Sequence, residues 1–254
     1  MSDRLAIVAE PAAAGLAGLD GAFEWGDAAT LAPGAAPADA DFVVALGAAG
    51  PGDREADVRW CGDAPVNGAV RLIATAGDGL WSRAPWPVRD DLFELEPPDP
   101  DAGLLVVTDD EERDATLLEK LAGRGIATRT ASELSGEALA AAAAVTFPPP
   151  PDRDGEYVPG ARQEAVPAAV FAALAARRAL VAPRAAVTFG LHAGADHLAA
   201  STDDDVVQWA DALLASPELL APQLALGRIA AERQRASVVY GRLLAELRAE
   251  PATA

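Results

Sequence analysis

The stretch at residues 164–191 constrains the fold more than any other part of the sequence. It reads EAVPAAVFAALAARRALVAPRAAVTFGL. An alanine-rich segment of helical length comes first, followed by a tight turn at Arg177-Arg178 and a short apolar segment, Ala179–Ala182, that stops before Pro183. Helix, turn, buried strand and loop in this order are typical of the late part of a parallel α/β domain, where open sheets bind their ligands. The stretch therefore predicts an α/β fold.

Apolar runs and helix-spaced segments alternate along the rest of the chain. The predicted strands are Leu5–Ala9, Phe42–Leu46, Val70–Ala74, Leu104–Val107, 126–130 and 145–147. The predicted helices are residues 111–121, a helix capped by either Ser132 or Ser135 that continues through residues 138–143, a segment capped by Ser201-Thr202, and one long or one broken helix at residues 219–247. Strands that alternate with helices imply a parallel sheet covered by helices.

A proline-rich and acidic run, PPDPD at residues 97–101, predicts an exposed linker. We therefore predict two Rossmann-like domains. The first, at residues 1–98, is reduced and has few convincing helices. The second, at residues 99–254, is fuller and closes with a long C-terminal helix.

The charge balance excludes several classes of partner. The chain carries 39 acidic and 20 basic residues, a formal net charge of −19. Such a surface repels nucleic acid and anionic membranes, so we expect no nucleic-acid partner. Cys61 is the only cysteine, which rules out an intrachain disulfide and a cysteine-built metal site. Because we find neither a membrane-spanning run nor a signal-peptide pattern, we expect a cytoplasmic protein.

Four segments carry a family resemblance. They are PVRDDLFELEPPD, LLVVTDDEERDATLLEKL, EAVPAAVFAALAARRALVAP, and GLHAGADHLAASTDDDVVQWADALLASPEL followed by GRIAAERQRASVVYGRLL. In order and spacing they resemble the GT-B glycosyltransferases, especially the group 1 donor-binding domain and its CgeB-like branch, in a degenerate form. The resemblance covers well over half of the chain, and only weakly the part before Trp81.

The resemblance implies a fold and an activity. It implies two Rossmann-like domains, an acceptor-side domain at residues 1–98 and a nucleotide-sugar-binding domain at residues 99–254. Together they would use a nucleotide sugar as donor substrate, with no separate cofactor, and transfer the sugar to an unknown acceptor. Family members often have two donor-binding glutamates eight positions apart. Glu164 matches the first, but Ala172 stands at the second. A cation often follows the first strand of the donor domain, where this chain has Asp109-Asp110, and glycine often ends the helix, where it has Arg177-Arg178.

These departures support an alternative function. The chain is then a catalytically inactive relative that binds a nucleotide sugar or a glycan, or serves as a scaffold for a partner. No residue stands out as catalytic. The arginines at the end of the alanine-rich helix, Arg177 and Arg178, either neutralise a diphosphate or pair with surface carboxylates.

The predicted donor site comprises six residues: Tyr157, Arg162, Glu164, Ala165, Gly190 and His192. Arg162 precedes the helix N-terminus, where anions bind, although it equally suits pairing with a surface carboxylate. Tyr157 either covers a nucleobase or lies at the solvent edge. His192 belongs to a donor-side loop with Asp196. A zinc site from His192, Asp196 and His197 is the alternative, but we expect no metal.

The C-terminal segment contains arginines that alternate with apolar residues at helical spacing: Arg228, Arg233, Arg235, Arg242 and Arg248. Long arginine stems on an amphipathic helix cover core surface. The alternative is that this helix binds a protein partner.

Overall fold

A computed structural model of the chain describes residues 5–9, 24–25, 29–31, 40–46, 58–61, 70–74, 81–84, 88–108, 110–132, 134–148, 165–182 and 191–249. The chain divides into two compact units, one formed by Met1–Arg89 and Arg233–Ala254, the other by Asp90–Glu232. This division differs from the predicted boundary after residue 98, which left the C-terminal helix in the second domain. The roles of the two parts as acceptor side and donor side stay predictions.

The first unit contains a seven-stranded sheet. Its strands are β1 (Leu5–Ala9), β2 (Glu24–Trp25), β3 (Ala29–Leu31), β4 (Phe42–Leu46), β5 (Val58–Cys61), β6 (Val70–Ala74) and β7 (Trp81–Ala84). Their order is β2-β3-β1-β4-β5-β6-β7. The strands β3, β1, β4 and β5 are parallel, and the outer pairs are antiparallel. The predicted strands β1, β4 and β6 are confirmed, while β2, β3, β5 and β7 were not predicted.

The second unit is a Rossmann-like α/β structure. Its strands are β8 (Leu104–Val107), β9 (Thr128–Ala131), β10 (Ala144–Thr146), β11 (Ala179–Ala182) and β12 (Leu198–Ala199). Its helices are α1 (Ala115–Gly123), α2 (Gly136–Ala140), α3 (Ala165–Ala175), α4 (Asp203–Ala215) and α5 (Pro217–Glu232), with 3₁₀ turns at Asp90–Glu94 and Pro100–Ala102. All strand pairs in this sheet are parallel, in the order β12-β11-β10-β8-β9.

The central strands of this unit are buried on both faces. Their sequences LLVV, AVT and ALVA are apolar except for Thr146, as expected of parallel strands covered by helices. One core cluster joins Leu104 and Val106 of β8 to Leu117 of α1 and Val206 of α4. Gly103 has a φ of 78°, and a Cβ there would collide with the Ala127 carbonyl oxygen, so only glycine permits this entry into β8.

Side chains set several helix ends. Ser135 caps α2 by accepting from the Ala138 N–H at 3.0 Å. Thr202 caps α4, as predicted, and forms a capping box with Asp205. The predicted helix at residues 111–121 begins later, at Ala115, because residues 111–114 form turns. The segment predicted as one long or one broken helix is two helices, α5 and a C-terminal helix at Ala236–Ala249.

The strand order of the second unit contains a topological switch point. Numbered within the unit, the order is 2-1-3-4-5, and the direction of winding reverses between β8 and β10. Doubly wound sheets with this order bind ligands at the carboxyl ends of the strands at that switch point. Within the described residues, no helix has both the length and the apolar character needed to cross a bilayer.

Candidate functional site

The turn that follows β8 lies at the switch point and is held by side chains. The Thr108 hydroxyl donates to the buried carboxylate of Asp114 and accepts from the Asp110 N–H at 3.1 Å. Arg113 binds the same carboxylate through two bonds, from Nε to Oδ1 at 3.0 Å and from Nη2 to Oδ2 at 2.9 Å. Both oxygens of Asp114 are therefore occupied by this chain's own donors.

The end of β10 contributes a second buried polar group. Thr146 is fully buried, and its hydroxyl has no hydrogen-bond partner among the residues that the structure describes. It pairs in register with Val106 of β8, two residues before Thr108. Since register partners in a parallel pair share a face of the sheet, Thr146 and Thr108 lie on the same face of adjacent strands.

The start of α4 is also filled by the chain itself. The Thr202 side chain accepts from the Asp205 N–H at 3.1 Å. The Asp205 carboxylate accepts from the backbone N–H groups of Ser201 at 2.8 Å and Thr202 at 3.0 Å. These bonds, the one from Ser201 first, hold the pKa of Asp205 below its usual range. A helix N-terminus that suits an anion thus already has an aspartate bound to it.

Most of the predicted donor site lies outside the described residues: Tyr157, Arg162, Glu164 and Gly190. Ala165 is the first residue of α3. His192 is exposed, with 81% of its side-chain surface accessible. Its backbone N–H donates to Asp196 Oδ2 at 2.8 Å, and its ring Nδ1 lies 3.4 Å from the same oxygen. The six-residue donor site stays a prediction.

His197 and Gln223 are two buried polar side chains whose burial the sequence did not predict. His197 is fully buried, and neither ring nitrogen has a partner in the described part of the chain. Burial lowers the pKa of its imidazole, and the nearby charge of Asp196 opposes that shift. Gln223 of α5 donates from Nε2 to the Gly194 carbonyl at 3.3 Å, while its Oε1 is buried without a partner there.

The zinc alternative receives no geometric support from the described residues. Among them no group of three His, Cys, Asp or Glu side chains is arranged to hold a metal ion. His192 and Asp196 approach each other, but His192 is exposed and His197 is buried.

The arginine pair after α3 has a structural role. Arg177 has a φ of 56°, the left-handed conformation that usually belongs to glycine at a helix end. Arg178 is buried and donates to four main-chain carbonyls, those of Leu139 at 2.6 Å, Glu96 at 3.0 Å, Ala176 at 2.6 Å and Arg177 at 3.4 Å. Burial lowers its pKa to about 10. Neither predicted role, diphosphate binding or carboxylate pairing, describes Arg178.

Of the five C-terminal arginines predicted to cover the core, Arg228 of α5 does so, whereas Arg233 and Arg242 are exposed. The Arg228 Nη1 donates to the carbonyls of Phe93 and Ala175, both at 2.7 Å. Its guanidinium carbon lies 4.6 Å from the centre of the Phe93 ring, and its Nε lies 3.3 Å from a Glu232 carboxylate oxygen.

Comparison with known proteins adds no relative: no protein-family model matches the chain, and no curated protein matches it. The resemblance to glycosyltransferases therefore depends on the four quoted segments. What the structure adds is the Rossmann-like α/β class of the second unit.

Proposed function

We propose that the chain is a GT-B-type glycosyltransferase relative that binds a nucleotide sugar at the carboxyl edge of the five-stranded sheet. The strand order of this unit carries the proposal, because its winding reverses between β8 and β10. Nucleotides bind at such switch points in doubly wound folds. The resemblance of the segment around Glu164 supplies the ligand class, and transfer to an acceptor is the activity that the family suggests.

Binding without transfer is the second candidate, and the chemistry of the described edge favours it. Diphosphate leaves as a group only when a cation or a helix N-terminus stabilises its charge. Arg113, after the carboxyl end of β8, is bound to Asp114, and the N-terminus of α4 holds Asp205. Each of these groups would first have to exchange its partner for the phosphate.

Ligand titration tests the binding step. We expect UDP, GDP or one of their sugars to raise the melting temperature of the full chain, since a ligand at a hundred times its Kd stabilises a protein by about 2.7 kcal/mol. The Glu164→Ala variant should lose most of this response. Glu137→Ala, which removes an exposed glutamate of α2 in the same unit, is the matched control and should respond like the unmodified chain.

Two results decide the proposal. If calorimetry and thermal shift show no response to any of these nucleotides at millimolar concentration, the proposal is wrong. If a nucleotide sugar binds but releases no nucleotide during long incubation with candidate acceptors, the second candidate replaces the first.

A further inference from the structure

The loop at residues 191–197, here called the histidine loop, contains both histidines of the chain. It closes on itself through three main-chain bonds. The Gly194 N–H donates to the His197 carbonyl at 2.8 Å, and the N–H groups of Ala195 and Asp196 both donate to the His192 carbonyl at 3.0 Å. The loop leads directly into the edge strand β12, so its position fixes that strand against β11.

Helix α5 holds the histidine loop by direct packing. Gln223 donates to the Gly194 carbonyl at 3.3 Å. One turn further on, Gly227 faces the loop: a Cβ there would lie 3.3 Å from the Asp196 carbonyl oxygen and 2.6 Å from Leu174 Cδ2 of α3. The loop backbone therefore rests on a helix surface that has no side chain at the point of contact.

His197, at the end of the histidine loop, destabilises the closed loop when its ring takes up a proton. Its ring is fully buried, and the described residues offer no acceptor to either nitrogen. A neutral imidazole buried at this site loses the two hydrogen bonds that its ring nitrogens would make with water. An imidazolium would carry two N–H donors and a full charge without a partner, which is far less favourable.

The charged groups around the loop do not offset that charge. Strand β11 and helix α3 contain no ionisable side chain in their sequences ALVA and AVPAAVFAALA, and Arg177 and Arg178 between them are cations. Helix α5 contributes Glu218, Arg228 and Glu232, and the last two pair with each other. The loop itself contributes His192 and Asp196, whose carboxylate is bound to the His192 N–H. Asp196 thus opposes the effect of burial only in part.

We propose that the histidine loop is an acid-sensitive latch, closed on α5 while His197 is neutral and released when His197 binds a proton. The direction follows from linkage. The closed state disfavours the proton, whereas a released imidazole binds it with its ordinary pKa of about 6.5. As the pH falls below that value, the open state gains about tenfold in population per pH unit until the closed state also takes up the proton. The latch does not depend on which ligand the sheet binds.

Amide hydrogen exchange of the full chain between pH 7.5 and 5 tests the latch. After correction for intrinsic rates, we expect the opening of the Gly194, Ala195 and Asp196 amides to increase about tenfold per pH unit below about pH 6.5. In His197→Leu this increase should disappear. His192→Leu removes the exposed histidine of the same loop and should keep the increase, which makes it the matched control.

Two outcomes would overturn the latch. One is the same pH dependence of loop exchange in His197→Leu as in the unmodified chain. The other is a ring titration of His197, followed by NMR in the unmodified chain, that proceeds without any change in loop exchange. The second measurement needs no variant, so it decides the matter even if His197→Leu fails to fold.

Discussion

Helix α5 presents one buried and one partly buried polar side chain, and the two are bonded very differently. Arg228 donates to the Phe93 and Ala175 carbonyls, stacks on the Phe93 ring and pairs with Glu232. Gln223, little more than one turn earlier, uses its amide nitrogen on Gly194 and leaves Oε1 buried without a partner among the described residues. The same helix therefore makes a fully hydrogen-bonded contact at Arg228 and an incompletely bonded contact with the histidine loop at Gln223.

Arg228 takes part in the hydrogen bonding that occupies the carbonyls at the C-terminal end of α3. An α-helix leaves its last four carbonyls without intrahelical partners. At the end of α3 the Ala173 carbonyl accepts from the Arg178 N–H at 2.9 Å, and the Leu174 carbonyl accepts from the Arg177 N–H at 3.1 Å. The Ala175 carbonyl accepts from the Arg228 side chain at 2.7 Å. The carbonyl of Ala176, the residue after the helix, accepts from the Arg178 side chain at 2.6 Å. Two of the donors are cations at the negative end of the helix dipole.

The largest expected effect is the loss of Arg178. In Arg178→Met four main-chain carbonyls lose a charged donor, and that of Leu139 lies in the core. Hydrogen bonds to charged groups contribute about 1.5–3 kcal/mol each, and the desolvation of the arginine is recovered in part. We expect the free energy of unfolding, measured by denaturant titration, to fall by roughly 3–5 kcal/mol.

The neighbouring arginine provides the control for this experiment. Arg177 is only partly buried and keeps its backbone bond in any variant. Arg177→Met should therefore change the free energy of unfolding by no more than about 0.5 kcal/mol. Equal losses in the two variants would show that the carbonyl bonds of Arg178 do not hold this helix end.

The sequence predicted the local parts of this arrangement and missed the distant ones. Helix α3, the turn and strand β11 follow from an apolar pattern and a stop at Pro183, and the cap of α4 follows from Ser201-Thr202. The partners of Arg178 and Arg228 lie up to 135 residues away in the chain, so no spacing rule identifies them.

The candidate site was less predictable than the fold for a related reason. His197 follows Asp196 and precedes only a two-residue strand, which gives no apolar period to indicate burial. The predicted donor residues came from a family resemblance, and of these the described residues include only Ala165 and His192. The hydrogen-bond and charge partners of a side chain depend on the tertiary fold, whereas the spacing of apolar residues can be read from neighbouring positions in the sequence.

A smaller effect is expected from a substitution where α5 packs against the histidine loop. In Gly227→Ala the new methyl group would lie too close to Leu174 Cδ2 and the Asp196 carbonyl. Overpacking costs about 1–3 kcal/mol, and the better helix propensity of alanine returns up to about 1 kcal/mol. We expect a net loss of roughly 1–2 kcal/mol in denaturant titration, with faster amide exchange in the histidine loop at pH 7.5.

Gly123 is the matched control for that substitution. It ends α1, and a Cβ there would meet nothing within 4 Å. Gly123→Ala should therefore stabilise the chain by up to about 1 kcal/mol. If Gly227→Ala were just as stabilising, the loop would not be packed against the glycine, and the contact proposed for the latch would lose its basis.

The smallest effect concerns the backbone at the bonded end of α3. Arg177 adopts a left-handed conformation that its Cβ disfavours, although the bond from the Arg178 N–H to the Ala173 carbonyl needs that conformation. Glycine removes the strain but gains freedom in the unfolded chain. We expect Arg177→Gly to raise the free energy of unfolding by about 0.5–1 kcal/mol. Gly125 has a φ of 73° in open space, so Gly125→Ala should lose a similar amount. A loss of stability in Arg177→Gly would mean that the Arg177 side chain, rather than its backbone, supports this helix end.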